Sequence, residues 1–136
     1  MTINPSTDAL VIVDVQNDFC PGGSLAVPDG DKVVPLLNRY IDRFAALKGP
    51  IFASRDWHPA VTKHFKAYGG VWPPHCVQGT KGAEFHADLK LPGDAVIVSK
   101  GMDPEADAYS CFQAEDSNGM PFAAALGEGS VQRLFV

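Results

Sequence analysis

Residues 9–14 read Ala9-Leu10-Val11-Ile12-Val13-Asp14, and this stretch decides the fold. Five apolar residues, rich in β-branched side chains, run without alternation into a carboxylate. A strand with one wet face alternates apolar and polar residues. An unbroken short run suits a strand buried on both faces, as in a parallel sheet. The signature recurs at Ile51-Phe52-Ala53, at Ala95-Val96-Ile97-Val98, and from Val131 to Val136, which closes on Leu134-Phe135-Val136. Over residues 31–48, Val33, Leu37, Tyr40, Ile41 and Phe44 recur at helical spacing, with Asp29 or Asp31 as a cap and Gly49-Pro50 as a stop. A second helix is predicted around 121–127. Strands alternating with helices imply right-handed crossovers. The predicted fold is therefore α/β, a doubly wound, mostly parallel sheet with helices on both faces.

The 136 residues suffice for one domain, 1–136, with one core. Apolar residues make up 46% and charged residues 20%, as in ordinary globular chains. A net charge of −5 argues against nucleic acid or an anionic membrane surface as partner, since both reward clustered Lys and Arg. No stretch reaches the roughly 18 apolar residues of a membrane span. The opening MTINPSTDAL lacks the basic and then apolar segments of a signal peptide. Three cysteines, an odd number at irregular spacing, form no disulfide framework. These features fit a reducing cytoplasm. The sequence stops inside a predicted buried strand, which leads to the expectation that the natural chain continues and that the C-terminal part of the fold is missing.

In open α/β sheets, ligands bind outside the carboxyl ends of the strands. Asp14 follows the first run. Ser54, Arg55, Asp56, Trp57 and His58 follow the second, and Ser99 and Lys100 the third. Each has a plain reading: Asp14 as a turn former or helix cap, Lys100 as a loop lysine, Asp56 and His58 as exposed loop residues. One crevice at three strand ends would account for them together. Residues 57–94 offer little regular structure but hold both tryptophans and three of the four histidines between positions 58 and 75. A loop this long in a compact domain is functional or disordered, and its aromatics and histidines favour the former. Asp56-x-His58, with His64 and His75, could surround one divalent ion. A carboxylate with imidazoles suits zinc, iron or manganese, although histidines on aromatic loops are often merely packed or exposed. Gly22 and Gly23 serve a turn that needs positive φ rather than a phosphate loop, since no strand–GxGxxG–helix pattern is present.

Four separated segments, Val11 to Leu25, Ser54-Arg55-Asp56-Trp57-His58-Pro59, Trp72-Pro73-Pro74-His75-Cys76-Val77 and Ser99-Lys100-Gly101, closely resemble nicotinamidases, within the wider group of isochorismatase-like hydrolases. The resemblance covers essentially the whole chain. It implies that Asp14 and Lys100 belong to a catalytic triad with a cysteine. The lysine would favour the thiolate, and the carboxylate would take its proton and later deliver it to leaving ammonia. The implied reaction converts the small-molecule amide nicotinamide to nicotinic acid through a thioester.

The resemblance also implies that Asp56, His58, His64 and His75 hold one divalent metal ion (zinc, iron or manganese), which would bind the substrate's pyridine nitrogen. His86 matches no ligand position and reads as a surface histidine. Phe19 and Trp72 become walls for a flat ring, with Tyr109 of the same kind, although such rings usually fill core. Gln16 and Asp18 would support the site. In the family the nucleophile lies shortly after the strand placed at 131–136, on a loop that also carries the oxyanion donors. Cys20 and Cys76 fall within motifs where they are not the nucleophile. Cys111 reads as a packed small apolar residue. The 136-residue chain is therefore expected to be inactive alone. Two other readings remain: a related hydrolase of another small amide or carbamoyl compound, and a non-catalytic metal- or ligand-binding module.

Overall fold

A computed structural model describes residues 2–136. Four strands form one sheet: β1 (Asp8–Val13), β2 (Ile51–Asp56), β3 (Val96–Lys100) and β4 (Arg133–Phe135). Their spatial order is β3-β2-β1-β4, and every pairing is parallel. The register sets Val11 beside Phe52, Val13 beside Ser54 and Asp56 beside Lys100. Parallel pairing brings the carboxyl ends of β1, β2 and β3 to one edge of the sheet, the usual place for a ligand in open α/β folds.

The runs in β1 and β2 find the double burial they predict, whereas Val13 is exposed, Val96 and Ile97 of β3 and Leu134 and Phe135 of β4 are half-buried, and Val136 is 83% exposed. Asp8 to Ile12 of β1 are all buried. Leu10 and Ile12 turn to one face with Ile51 and Ala53, where Val34, Ile41 and Phe44 of helix α1 (Val34–Ala46) cover them. Ala9 and Val11 turn to the other with Phe52 and Val98, beneath Phe122 and Leu126 of helix α2 (Phe122–Glu128). Phe52 and Phe122 meet edge to face with centroids 5.3 Å apart. Phe44 is fully buried, and truncating a residue so placed costs about 3–5 kcal/mol. Helices thus lie on both faces, as expected.

Local details depart from the sequence reading. Neither Asp29 nor Asp31 caps α1. Its N-cap is Val33, with no side-chain bond, and Asp29 pairs instead with Lys32 at 2.9 Å. Pro35 sits in the first turn, where its missing N–H is no loss. At the other end Lys48, not Gly49, takes the left-handed conformation, and the Gly49 amide donates to Phe44 O at 2.9 Å. β2 runs three residues past its apolar core, through Ser54 and Arg55 to Asp56. Residues 57–94 hold only short 3-10 turns and isolated bridges. Among the described residues no helix is long and apolar enough to cross a membrane.

β4 is tied on by charge. Asp8, 2% exposed, accepts from the Asn4 amide at 2.7 Å and pairs with Arg133 from 125 residues away.

Candidate active site

Asp14 leaves β1 with φ 52, in the left-handed region that non-glycine residues rarely enter. This turn points its carboxylate back across the sheet. Ser54 Oγ donates to Asp14 Oδ1 at 2.8 Å, and Lys100 Nζ reaches Asp14 Oδ2 at 2.7 Å. The same ammonium also donates to Asp56 Oδ1. Lys100, with its side chain 3% exposed, is therefore a buried cation between two carboxylates. Burial works against its charge, but Asp14 and Asp56 outweigh it and hold its pKa above the ordinary lysine value. Burial likewise opposes the charge on Asp56. His58, His75 and Lys100 outweigh it and hold that carboxyl well below the usual carboxylate range. Gln16, fully buried, fixes the Asp56 backbone. It donates to Asp56 O at 2.8 Å and to Ala83 O at 2.9 Å, and accepts from Asp56 N at 2.9 Å.

The far side of Asp56 carries a second arrangement. His58 Nδ1 lies 2.9 Å from Gly101 O, and His75 Nδ1 lies 2.8 Å from Pro73 O. A carbonyl oxygen only accepts, so in both rings the hydrogen sits on Nδ1. The Nε2 atoms then face Asp56 Oδ2 at 3.5 and 3.6 Å, longer than a hydrogen bond. One carboxylate oxygen and two imidazole nitrogens, all within 4.8 Å of one another, make a donor set suited to a cation. The site draws positive charge by another route too. Burial disfavours protonation of His75, but Asp56 and the Pro73 carbonyl outweigh it and raise its pKa above the ordinary histidine value. Gly101 makes the close approach possible. It has φ +70, and a Cβ there would lie 2.5 Å from His58 Cε1.

His64 stands beside this trio rather than in it. Its Nδ1 lies 3.0 Å from His58 Nδ1 and 3.7 Å from Asp107 Oδ1, and its Nε2 is buried without a partner. His58, His64 and Asp107 form a second group whose donor atoms lie within 4.8 Å of one another. His86 lies elsewhere, half-buried, lining a separate hollow with Cys20 and Lys81.

A cavity of about 190 Å³ brings the other predicted residues together. Asp14, Asp56, His58, His75, Lys100 and Asp107 supply its polar lining, and Phe19, Leu25, Trp72, Ala108 and Tyr109 the remainder. Phe19 and Trp72, both half-buried, flank His75 at centroid distances of 5.8 and 6.3 Å. Tyr109 lines the same space but is 72% exposed. Asp18 supports the wall from behind: its Oδ2 accepts from the Cys76 amide at 2.8 Å. Gly22 does take positive φ (+91), whereas Gly23 does not. A Cβ on Gly23 would instead strike the Asn17–Asp18 backbone at 2.4 Å.

Among the described residues no cysteine lines the cavity. Cys20 and Cys76 are buried and Cys111 is half-buried, packed against the α2 side of the core. Burial pushes all three thiols up in pKa, away from the reactive thiolate. The sequence reading missed two groups, Ser54 and Asp107. Ser54 stands two places before Asp56, and only the extension of β2 through both residues puts them on one face. Asp107 sits in an aperiodic loop and gave no signal.

Comparison with known proteins agrees with this geometry. The isochorismatase domain family matches residues 8–111. The nicotinamidase of Escherichia coli (strain K12) is 42% identical over 119 residues, covering 76% of this chain and 56% of the relative. The chain therefore spans little more than half of that relative's length. Among solved structures, the pyrazinamidase of Pyrococcus horikoshii in complex with zinc is 46% identical with a TM-score of 0.84, covering 93% of this chain and 67% of that one. A protein of L. infantum solved in complex with nicotinate is 37% identical with a TM-score of 0.86, covering 100% of this chain and 68% of that one. A parallel sheet clad on both faces, acidic and basic residues gathered at its strand ends and a family match over three quarters of the length leave one assignment: the chain belongs to the isochorismatase domain family.

Proposed function

We propose that this site hydrolyses nicotinamide to nicotinic acid and ammonia, with Asp14 and Lys100 as catalytic residues and Asp56, His58, His64 and His75 as the metal-binding set. The observation that carries this reading is Lys100 lying between Asp14 and Asp56. One ammonium thereby joins an acid–base carboxylate to a cation-binding trio in a single small cavity. Zinc is the metal this reading favours, because a zinc-bound pyrazinamidase shares the fold and nearly half the sequence. The ion would be held by Asp56, His58 and His75, with His64 beside them, and would supply an electrophilic anchor for the pyridine nitrogen. Phe19, Trp72 and Tyr109 would enclose the ring.

The chain's own residues set the rest of the chemistry. Ser54 and Lys100 each hold one oxygen of Asp14, so its remaining lone pairs have a fixed direction. Asp14 takes the proton of an attacking thiol, and the sulfur bonds to the amide carbonyl carbon. The C–N bond then breaks as Asp14 returns the proton to the departing nitrogen, releasing ammonia. Water then attacks the thioester carbonyl carbon as Asp14 takes its proton, the C–S bond breaks to free the acid, and the proton passes back to the sulfur. Lys100 is held protonated throughout and acts as a fixed positive charge that favours the thiolate. The thiol itself is proposed to come from the part of the family's length that these residues do not span, since Cys20, Cys76 and Cys111 all lie outside the cavity.

Ammonia release from nicotinamide in the presence of zinc tests this, measured on the 136-residue chain and on the longest product of the same reading frame. Activity in the longer product alone, reduced at least about a hundredfold by Asp14→Ala, is expected. Activity in the 136-residue chain would assign the thiol to Cys20, Cys76 or Cys111 and overturn that part. No activity in a zinc-loaded longer product would shift the substrate to another small amide or carbamoyl compound.

A further inference from the structure

Two loops meet beside the cation-binding trio. The segment around His64 and the loop after β3 are stitched at several points. Lys63 N donates to Pro104 O at 2.9 Å, Thr62 Oγ1 donates to the same oxygen at 3.3 Å, and Lys63 pairs with Glu105. At the start of the second loop Gly101 O receives His58 Nδ1–H at 2.9 Å. At its far end Ala108 and Tyr109 line the cavity. Between them stands Asp107, whose Oδ1 accepts from the Ala108 amide at 2.8 Å and lies 3.7 Å from His64 Nδ1.

The His64 ring is buried, yet among the described residues its Nε2 has no partner, so the ring's polar contacts lie on the Nδ1 side, with His58 and Asp107. Remove Asp107, and among the described residues the one polar group left at the His64 ring nitrogens is the ring of His58. A neighbour that orients a ligand histidine typically changes metal affinity by 10–100-fold when removed.

We propose that Asp107 is a positioning residue: it holds His64 against His58 and so ties the loop bearing Tyr109 to the metal-binding histidines. This rests on the reading of Asp56, His58 and His75 as ligands. Ion binding and the placing of the Tyr109 wall then become one event, with Asp107 as the link.

Zinc affinity of the 136-residue chain, measured by competition with a chelating dye, is combined with hydrogen–deuterium exchange of the amides of residues 103–109. Wild type should bind one zinc, and zinc should slow exchange in that loop. Asp107→Ala should weaken zinc about tenfold and abolish the slowing. Asp107→Asn keeps an oxygen for the Ala108 amide but loses the charge, and should fall between. Unchanged affinity in both variants, whatever happens to loop exchange, would reduce Asp107 to a cap on its own loop and overturn the proposal. Two zinc ions per wild-type chain, falling to one in Asp107→Ala, would overturn it differently by making Asp107 a ligand of its own ion. Failure of wild type to bind zinc would sink the underlying ligand reading before any variant is compared, and the proposal with it.

Discussion

Strand β1 has a carboxylate at each end, and the two are treated in opposite ways. Asp8 is matched one to one: Arg133 covers it from β4, and the Asn4 amide takes a further lone pair. The arginine keeps its own side chain 52% exposed and lies over Phe135, so the pair closes the sheet edge without excess charge. Asp14 instead shares one buried ammonium with Asp56. Two carboxylates share one ammonium, and beyond them the Nε2 atoms of His58 and His75 stand 3.5 and 3.6 Å from Asp56 Oδ2, too far to close a hydrogen bond. Satisfied polar groups hold a fold together, while a surplus of one sign, fixed in place, marks where a ligand belongs.

The largest break in this contrast should come from Lys100→Met. It leaves two carboxylates facing each other in a largely buried site, and losing one partner of a buried ion cluster costs about 3–5 kcal/mol by urea unfolding. Adding Asp14→Asn to that variant should recover part of the loss. Gly101→Ala should come next. It meets φ +70 and a 2.5 Å approach to the His58 ring, so about 1–3 kcal/mol of backbone strain adds to a displaced histidine. Zinc titration should show weaker binding in the same variant.

Acid titration of stability is a milder probe. The folded pKa of Asp56 lies below its ordinary 3.8, so its contribution is present above that value and is lost as pH falls further. The folded pKa of Lys100 lies above 10.5, so its contribution is present below that value and is lost as pH rises through its folded pKa. The folded pKa of His75 lies above 6.5, so its contribution is lost as pH rises through that folded pKa, and urea stability of the cluster should step down there and fall further only at the acid and alkaline extremes. Asp8→Asn should have the smallest effect, a lowered Tm with zinc binding unchanged. A matched fall in zinc affinity would show that the two ends of β1 are not separable.

Much of this was legible in the sequence, for identifiable reasons. Ala9 to Val13 announced a doubly buried strand because both faces of β1 are covered. Asp14, Asp56 and Lys100 stood out because each lies just beyond an apolar run, at the strand ends where a parallel sheet gathers its ligand-binding groups. The extension of β2 to Asp56 was not visible, because Ser54 and Asp56 are polar residues buried against other polar residues, which periodicity scores as loop. The absence of a cap on α1 was hidden because Asp29 satisfies itself on Lys32. Asp107 was illegible since its role depends on a loop crossing from 43 residues away in sequence, His64 to Asp107.

The placing of β1 between β2 and β4 also governs how the chain reaches this state. One edge of β1 pairs with a strand some 40 residues on, but the other waits for Arg133, 125 residues from Asp8. Closing so long a loop is slow compared with forming α1, because its entropy must be lost before any contact repays it. During synthesis the N-terminal half can assemble β1, α1 and β2 while the second edge of β1 still stands open. That edge is apolar, extended and unprotected, the kind of template on which another nascent chain can pair. Arg133 is thus a latch as much as a brace, and chains arrested before it is made should be the ones that aggregate.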